Sequence, residues 1–506
     1  MLIAGGGALL LTACGSGASK GSSTTISGAL VGADDPSVER RDAERRRSGA
    51  GTVTATVTAS PVSVDIGGRE VSTWAFGDRP GSGGIRATAG DLIDATFVNN
   101  LTSGNTVHWH GIALRNDMDG VHDLTQTMVE PGSSFRYRFI APDPGSYWFH
   151  PHMGLELDRG LYAPLIIEDP DEPLAYDVDV TMMLDDWLDG YGRTAEDVLH
   201  ELQQSGGHSG HGSHMGGSSD TNGSTGMGGK GGSGGMGSMM NGGLVGDVSY
   251  PLHLINGRAT SELDTINAKT GQRVRIRLIN AGSDTAYRVA IGGHRLTVTH
   301  ADGFPVEPVE VDNVLLGMGE RYDVVITAGD GAFPIVAVPE GKQDPAGEAV
   351  LRTSTGSVAP ATGSRPAELD GRTLEYADLA ATSAARLVSR APDRTIEVHL
   401  TAGMSGYTHG LDGRSFPDTE PITVAEGERV RMRVVNDTMM FHPIHLHGHT
   451  FQMVGAGSAR KDTVNVLSMS AVEFDIEADN PGQWMLHCHN TYHLETGMAT
   501  VFSYRE

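Results

Sequence analysis

The sequence predicts an all-β protein made of three consecutive, related sandwich or barrel domains. Three observations predict it. Turn residues are frequent, with 69 Gly and 23 Pro among 506 residues. Strand-like alternation begins at residues 52–57 (TVTATV), and no long amphipathic helix follows, only a short helical stretch at residues 194–204. One register is also written three times: residues 86–99 (RATAGDLIDATFVN), 267–280 (NAKTGQRVRIRLIN) and 423–436 (TVAEGERVRMRVVN). Each copy has a Gly turn, an alternating strand and an Asn nine residues after the Gly: Gly90/Asn99, Gly271/Asn280 and Gly427/Asn436. A second shared element follows in each copy, at residues 143–150 (DPGSYWFH), 329–336 (GDGAFPIV) and 480–487 (NPGQWMLH).

From the N-terminus, residues 1–13 are small and apolar, too short to span a bilayer and suited to the core of a signal peptide. Leu11-Thr12-Ala13-Cys14 resembles a bacterial lipoprotein processing site, so Cys14 is expected to be lipidated after cleavage. The usual positive start is missing, and the expectation is that Met1 lies downstream of the true start, where a twin-arginine export signal was lost. Residues 15–50 are low in complexity and read as a flexible tether, with Arg40-Arg41 and Arg45-Arg46-Arg47 solvated. The three domains are expected over residues 51–170, 171–360 and 361–506. The middle one carries a Gly/Met/His-rich insertion at residues 205–243.

Charge and cysteine usage narrow the function. Lys plus Arg number 37 against 63 Asp plus Glu, a net charge of −26, which opposes nucleic-acid binding and docking of the folded domains on anionic lipid. Two cysteines, Cys14 and Cys488, exclude a disulfide scaffold and any thiolate-rich zinc or iron–sulfur site.

Histidines fall on the repeated register. His108 and His110 follow Asn99 by nine and eleven, and His445 and His447 follow Asn436 by the same steps. His150 and His152 follow Gly145 by five and seven, as His487 and His489 follow Gly482. The middle copy has Val289, Ile291, Val336 and Val338 at these positions. Composition alone predicts roughly one His-x-His in the chain. On a strand, residues i and i+2 share a face, so each pair presents two imidazoles side by side. Eight such nitrogens exceed what one metal ion takes, and they imply a polynuclear centre between the first and third domains.

Cys488 lies between His487 and His489, so alternation turns its sulfur to the opposite face. His442, His493 and Met498 stand nearby in sequence. Two His, one Cys and a weak axial Met describe a blue-copper electron-transfer site. Single electrons would enter beside Cys488 and gather at the histidine cluster, where O2 is the natural four-electron sink.

The segments His108-Trp-His-Gly111, His150-Pro-His152, His442-Pro-Ile-His-Leu-His-Gly448 and the run from His487 to Met498 (HCHNTYHLETGM) resemble the four copper motifs of the multicopper oxidases. The likeness runs from about residue 52 to the C-terminus, and is closest to actinobacterial, lipoprotein-type copper-resistance oxidases. It implies three cupredoxin-like Greek-key domains and four copper ions. His442, Cys488 and His493 would hold the type 1 copper, with Met498 axial. His108 and His445 would hold the type 2 copper. His110, His150 and His489 would hold one type 3 copper, and His152, His447 and His487 the other. This division is the family's; spacing does not give it.

Reduction of O2 to water consumes protons, so an acid is expected beside the cluster. Asp119 matches the family's acid in the first domain, and Glu495 is the second candidate, because Leu494 occupies the position directly after His493 where bacterial relatives carry an acid. For the electron donor, Met439 and Met440 precede His442 and resemble the Cu(I) entrance of cuprous oxidases; Asp437 approximates the family's acid, whose own position is Thr438. The insertion holds 17 Gly in 39 residues, too many to bury a core, together with His208, His211, His214 and Met215, Met227, Met236, Met239 and Met240, which suggests metal capture. The expected activity is oxidation of Cu(I) by O2 outside the cytoplasmic membrane, in the periplasm or cell envelope, with the lipid on Cys14 as the only membrane contact. The alternatives are a laccase-like oxidase of phenols or aromatic amines and a copper-sequestering protein. A copper nitrite reductase would need only one further copper, against eight paired imidazoles.

Overall fold

A computed structural model describes residues 28–205, 244–354, 360–403 and 406–506. The described strands form six sheets, two from each third of the chain. In the first third, Thr52–Ile66 and Leu92–Asn99 lie at the centre of one sheet, while Gly145–His150 joins His108–His110 and Ala163–Glu168 in the other. The middle third pairs a six-stranded with a five-stranded sheet, as does the last third. These are three cupredoxin-like domains in succession. The repeat seen in the sequence is a repeat of pairing. The strand after each Gly turn runs parallel to the first strand of its domain: Thr52 against Leu92, Val178 against Val274, and Arg394 against Val430.

The three repeated Asn residues do the same work in each copy. Asn99, Asn280 and Asn436 are buried at the ends of their strands. Their amides donate to carbonyls of the next loop and of a neighbouring segment: Ser103 and Val129, Thr285 and Leu316, Met440 and Val466. Their side-chain oxygens accept from Leu101, Gly282 and Thr438. A short polar side chain that satisfies three backbone groups in the interior is hard to replace. In the first and third copies this staple sets the loop leading into the histidine strand. The preceding glycines hold φ of +92°, +83° and +83°, a region that side chains with a Cβ rarely enter.

The first and third domains share one hydrophobic cluster, from Val57 and Trp109 through to Cys488 and Phe502, whereas the middle domain has its own. The helix Ala195–Ser205 agrees with the expected helical stretch. Residues 367–385 of the second connection pack on the middle domain, with Leu369 against Ala290 and Val336, and Ala381 against Phe304.

The expected tether needs correction from residue 28 onward. Leu30 bridges to Arg505, Val31 donates to the carbonyl of Tyr504, and Gln483 donates to the carbonyl of Val31. The helix Pro36–Glu44 follows, capped by Asp35 and opened by proline. It buries Val38, and its Asp42 accepts from the backbone of Ile140. Arg41 pairs with Asp479 at 3.0 Å. The segment therefore straps the third domain to the first. Its few apolar residues were hidden by low-complexity surroundings. Residues 1–27, with Cys14, and residues 206–243 of the insertion lie outside the described residues. Among the described residues no helix is long and apolar enough to cross a membrane.

Candidate metal centre

Two strand pairs carry the histidines. His108–His110 runs antiparallel to Gly145–His150 with His108 opposite His150, and His442–Leu446 runs antiparallel to Gln483–Cys488 with His445 opposite His487. Alternation sends Trp109 and Phe149 into the shared core and the imidazoles to the other face. The two faces meet. His108 stacks on His447 with ring centroids 3.7 Å apart, and His110 stacks on His445 at 3.7 Å and 11°. His152 lies 5.1 Å from His487, and His150 lies 5.3 Å from His489. All eight expected histidines of the cluster come together, drawn from two domains.

Their orientation tests whether a metal fits. His108 Nδ1–H donates to the carbonyl of Asp119 (3.0 Å), His150 Nδ1–H to Pro151 (2.8 Å), His445 Nδ1–H to Asp462 (3.0 Å) and His487 Nδ1–H to Cys488 (2.9 Å). A carbonyl only accepts, so in each neutral ring Nε2 carries a bare lone pair. His447 Nδ1–H donates to Asp119 Oδ2 at 2.9 Å, which leaves its Nε2 bare 3.0 Å from the Nε2 of His487. Two lone pairs at that distance repel unless a cation lies between them. Nε2 of His108, His150, His152 and His445, Nδ1 of His110 and both nitrogens of His489 are buried without a partner. Burial also holds His110, His150, His152, His447, His487 and His489 well below the ordinary imidazole pKa, so the rings stay neutral and able to ligate. Nitrogens within one ion's reach include those of His108, His445 and His447, of His108, His110 and His150, and of His152, His447 and His487. The donor set and its geometry fit a cluster of copper ions.

The second site sits one residue away. Cys488 Sγ lies 3.6 Å from Nδ1 of both His442 and His493, and these nitrogens are 3.0 Å apart. His442 Nε2–H donates to Thr438 Oγ1 at 2.7 Å, and His493 Nε2–H donates to Asp247 Oδ2 at 2.9 Å, so both Nδ1 lone pairs face the sulfur. Met498 is buried in the same core, and its carbonyl accepts from the backbone of Cys488. Burial pushes the Cys488 thiol up, so it keeps its proton until a metal displaces it.

Asp247 was not foreseen. It comes from the middle domain, holds His493 of the third, and accepts a further hydrogen bond from Tyr407 at 2.6 Å. The only hint in the sequence is its place just after the insertion. His409 was also missed; its ring lies 4.1 Å from that of His493. On the outer side, Asp437 turns away from the sulfur site and accepts from His399 Nδ1–H at 2.6 Å. Thr438, at the position of the family's acid, touches His442 instead. Met439 is 52% exposed and Met440 is half-buried.

Asp119 is fully buried and joins the first-domain His108 to the third-domain His447. Glu495 lines a cavity of about 570 Å³ together with His150, His152, His487 and His489. Burial raises its carboxyl pKa.

Comparison with known proteins agrees with this architecture. Multicopper oxidase family models match residues 56–172, 179–356 and 389–506. The chain is 44% identical over 470 residues to the multicopper oxidase MmcO of Mycobacterium tuberculosis, covering 92% of this chain and 90% of that one. It is 29% identical to copper resistance protein A of Escherichia coli, over 82% of this chain and 86% of that one. A multi-copper oxidase of Pseudomonas thermotolerans superposes with a TM-score of 0.67 at 25% identity, over 90% of this chain and all of that one. The chain belongs to the multicopper oxidases, copper enzymes that couple one-electron oxidation of a substrate to the reduction of O2.

Proposed function

We propose that this oxidase converts Cu(I) to Cu(II) in copper tolerance, using four copper ions distributed as the family resemblance implies. The observation that carries the substrate reading is where the Gly/Met/His-rich insertion is anchored. Before it, the helix Ala195–Ser205 buries Val198 and Leu202 in one cluster with Tyr407 and Tyr492, the latter adjacent to His493. After it, Leu244 packs with Phe441, adjacent to His442. Both ends of a chain rich in soft thioethers and imidazoles thus reach the rim of the electron-accepting site. Met439 and Met440 lie on the same loop as His442 and add thioethers there.

Bound copper would supply one-electron acceptance beside Cys488 and O2 reduction among the eight imidazoles. The protein does the rest. His487 and His489 flank Cys488, so the covalent path between the two sites is one residue long on either side. Asp119 orients His108 and His447 from opposite domains, and Glu495 lines the cavity that opens on the cluster, where its carboxyl would relay protons. Asp247 and Thr438 fix the two histidines at the electron port.

In the laccase-like alternative, the carboxylate of Asp247 beside His493 would accept the proton of a phenol. The test is steady-state oxidation of Cu(I) and of a phenol by one copper-loaded preparation, with O2 uptake followed. Cu(I) oxidation at least tenfold more efficient supports the proposal; a preference for the phenol overturns it. Export and a lipid anchor on Cys14 fit such a role at the cell envelope, and mass spectrometry of the mature N-terminus tests them.

A further inference from the structure

The middle domain donates no histidine to the cluster, yet its turn at residues 317–321 (GMGER) lies against it. Gly319 has φ of +83°, and a Cβ there would stand 2.9 Å from His489 and 3.0 Å from His110. Arg321 follows and is fully buried. Its Nη1 and Nη2 donate to the two oxygens of Asp462, each at 2.6 Å, and its Nε donates to the carbonyl of Ser146 at 3.0 Å. One guanidinium thus ties all three domains together.

Asp462 faces two rings of the cluster from behind. Its Oδ1 accepts from His110 Nε2–H at 3.2 Å, and its carbonyl accepts from His445 Nδ1–H at 3.0 Å. The other nitrogens of these rings, His110 Nδ1 and His445 Nε2, are the ones left without a partner. Asp302 of the middle domain completes the mount: its carboxylate accepts from the backbone N–H of Arg321 at 2.9 Å, and from those of Asp462 and Thr463 at 3.2 Å. The approach is so close that Gly111 must be glycine. It has φ of +85°, and a Cβ would lie 2.5 Å from Arg321 Nη2 and 2.7 Å from Asp462 Oδ2.

The geometry points to Arg321 as a positioning residue of the copper cluster. Through Asp462 it sets the mutual orientation of His110 and His445, which belong to different domains. The domain without cluster ligands thereby governs how firmly the other two hold metal between them. The physical basis is general: partners of ligand side chains fix ring orientation and basicity, and their loss typically costs about 10–100-fold in metal affinity. A planar fork is needed, because lysine keeps the charge but cannot pair with both carboxylate oxygens in one plane. This inference rests on reading the eight histidines as the site of the copper cluster.

The test is chelator competition on the copper-loaded full chain, with copper counted per protein and the type 1 absorption and the electron paramagnetic resonance of the cluster recorded separately. Arg321→Lys is expected to keep the type 1 signal and to release cluster copper at about 10–100-fold lower chelator concentration. Arg288→Lys makes the same change at a forked pair with Glu340 (2.8 and 2.9 Å) elsewhere in the middle domain. It is expected to match the wild type in both readouts. Wild-type retention of cluster copper by Arg321→Lys overturns the inference, as does equal loss in Arg288→Lys. If Arg321→Lys does not fold, Asp462→Asn decides by the same readout: early release supports the inference and wild-type retention contradicts it. A wild-type protein that binds copper only beside Cys488 would contradict the cluster reading instead.

Discussion

The middle and last domains share a strand plan and differ in what the strands carry. Tyr287–Ile291 pairs antiparallel with Ala332–Pro339 just as His442–Leu446 pairs with Gln483–Cys488. Val289, Ile291, Val336 and Val338 of the middle domain match His445, His447, His487 and His489 in sequence spacing, but the pairing is one residue out of step: Val289 lies opposite Ala337, where His445 lies opposite His487. Val289 and Ile291 fill the middle domain's own core, whereas the histidines turn to a second domain. The same Asn staple is present in both. The fold therefore does not need the ligands, and a domain stripped of them remains free to serve the site from outside, through Asp247 at the electron port and Arg321 behind the cluster.

Changes on the two sides of this comparison are expected to rank as follows. The largest effect is Cys488→Ser in the last domain, which removes the one thiolate of the port. The blue absorption and turnover are expected to disappear while cluster copper stays, and any remaining steady-state oxidation above the copper-free background would contradict the port assignment. Next comes Asp119→Ala, which deletes the first-domain support of His447. A fall in kcat of about a hundredfold or more is expected, the usual scale for a group that positions or supplies protons, with the type 1 spectrum unchanged.

The middle domain offers an internal control for its own role. Gly319 and Gly271 both hold φ of +83°, but a Cβ at Gly271 meets nothing within 4 Å. Ala at either position carries a backbone penalty of about 1 kcal/mol. Gly319→Ala adds overpacking against His489 and His110, about 1–3 kcal/mol more. Chemical unfolding should separate the two variants by that amount, and only Gly319→Ala should lower copper content. Equal behaviour would show that the turn at residues 317–321 does not press on the cluster. The smallest effect is expected from deleting residues 206–243. The KM for Cu(I) should rise several-fold and that for a phenol should not change; a parallel change in both would speak against copper capture by the insertion.

Strand alternation explains what could be read from the sequence. A period of two places His108 with His110 and sets Cys488 apart from its neighbours, so ligands within one strand declare themselves by spacing. The Gly and Asn of the repeat likewise mark strand ends locally. Partners that meet only through tertiary packing leave no such trace. Arg321 and Asp462 are 141 residues apart, and each alone looks like one more charged residue on a strand edge. Asp247 follows a low-complexity insertion, and no spacing in the sequence ties it to His493. Residues 28–50 looked solvated because one docked helix turns on a few side chains, chiefly Val38, Arg41 and Asp42, whose contacts lie in other domains. Asp437 and Thr438 stand one step apart on the same loop and meet different partners through tertiary packing: Thr438 Oγ1 accepts from His442, whereas Asp437 accepts from His399 on the outer side.

If Cys488 is the port and the histidines hold the cluster, electrons taken singly at the Cys488 site leave together at the histidine cluster. The most direct test is the stoichiometry of oxygen uptake during oxidation of chelator-stabilised Cu(I), with the Cys488→Ser protein as the blank. Four Cu(I) oxidised per O2 consumed, with no accumulation of hydrogen peroxide, is the expected result. Two Cu(I) per O2 with matching peroxide, or uptake equal to the blank, would contradict it.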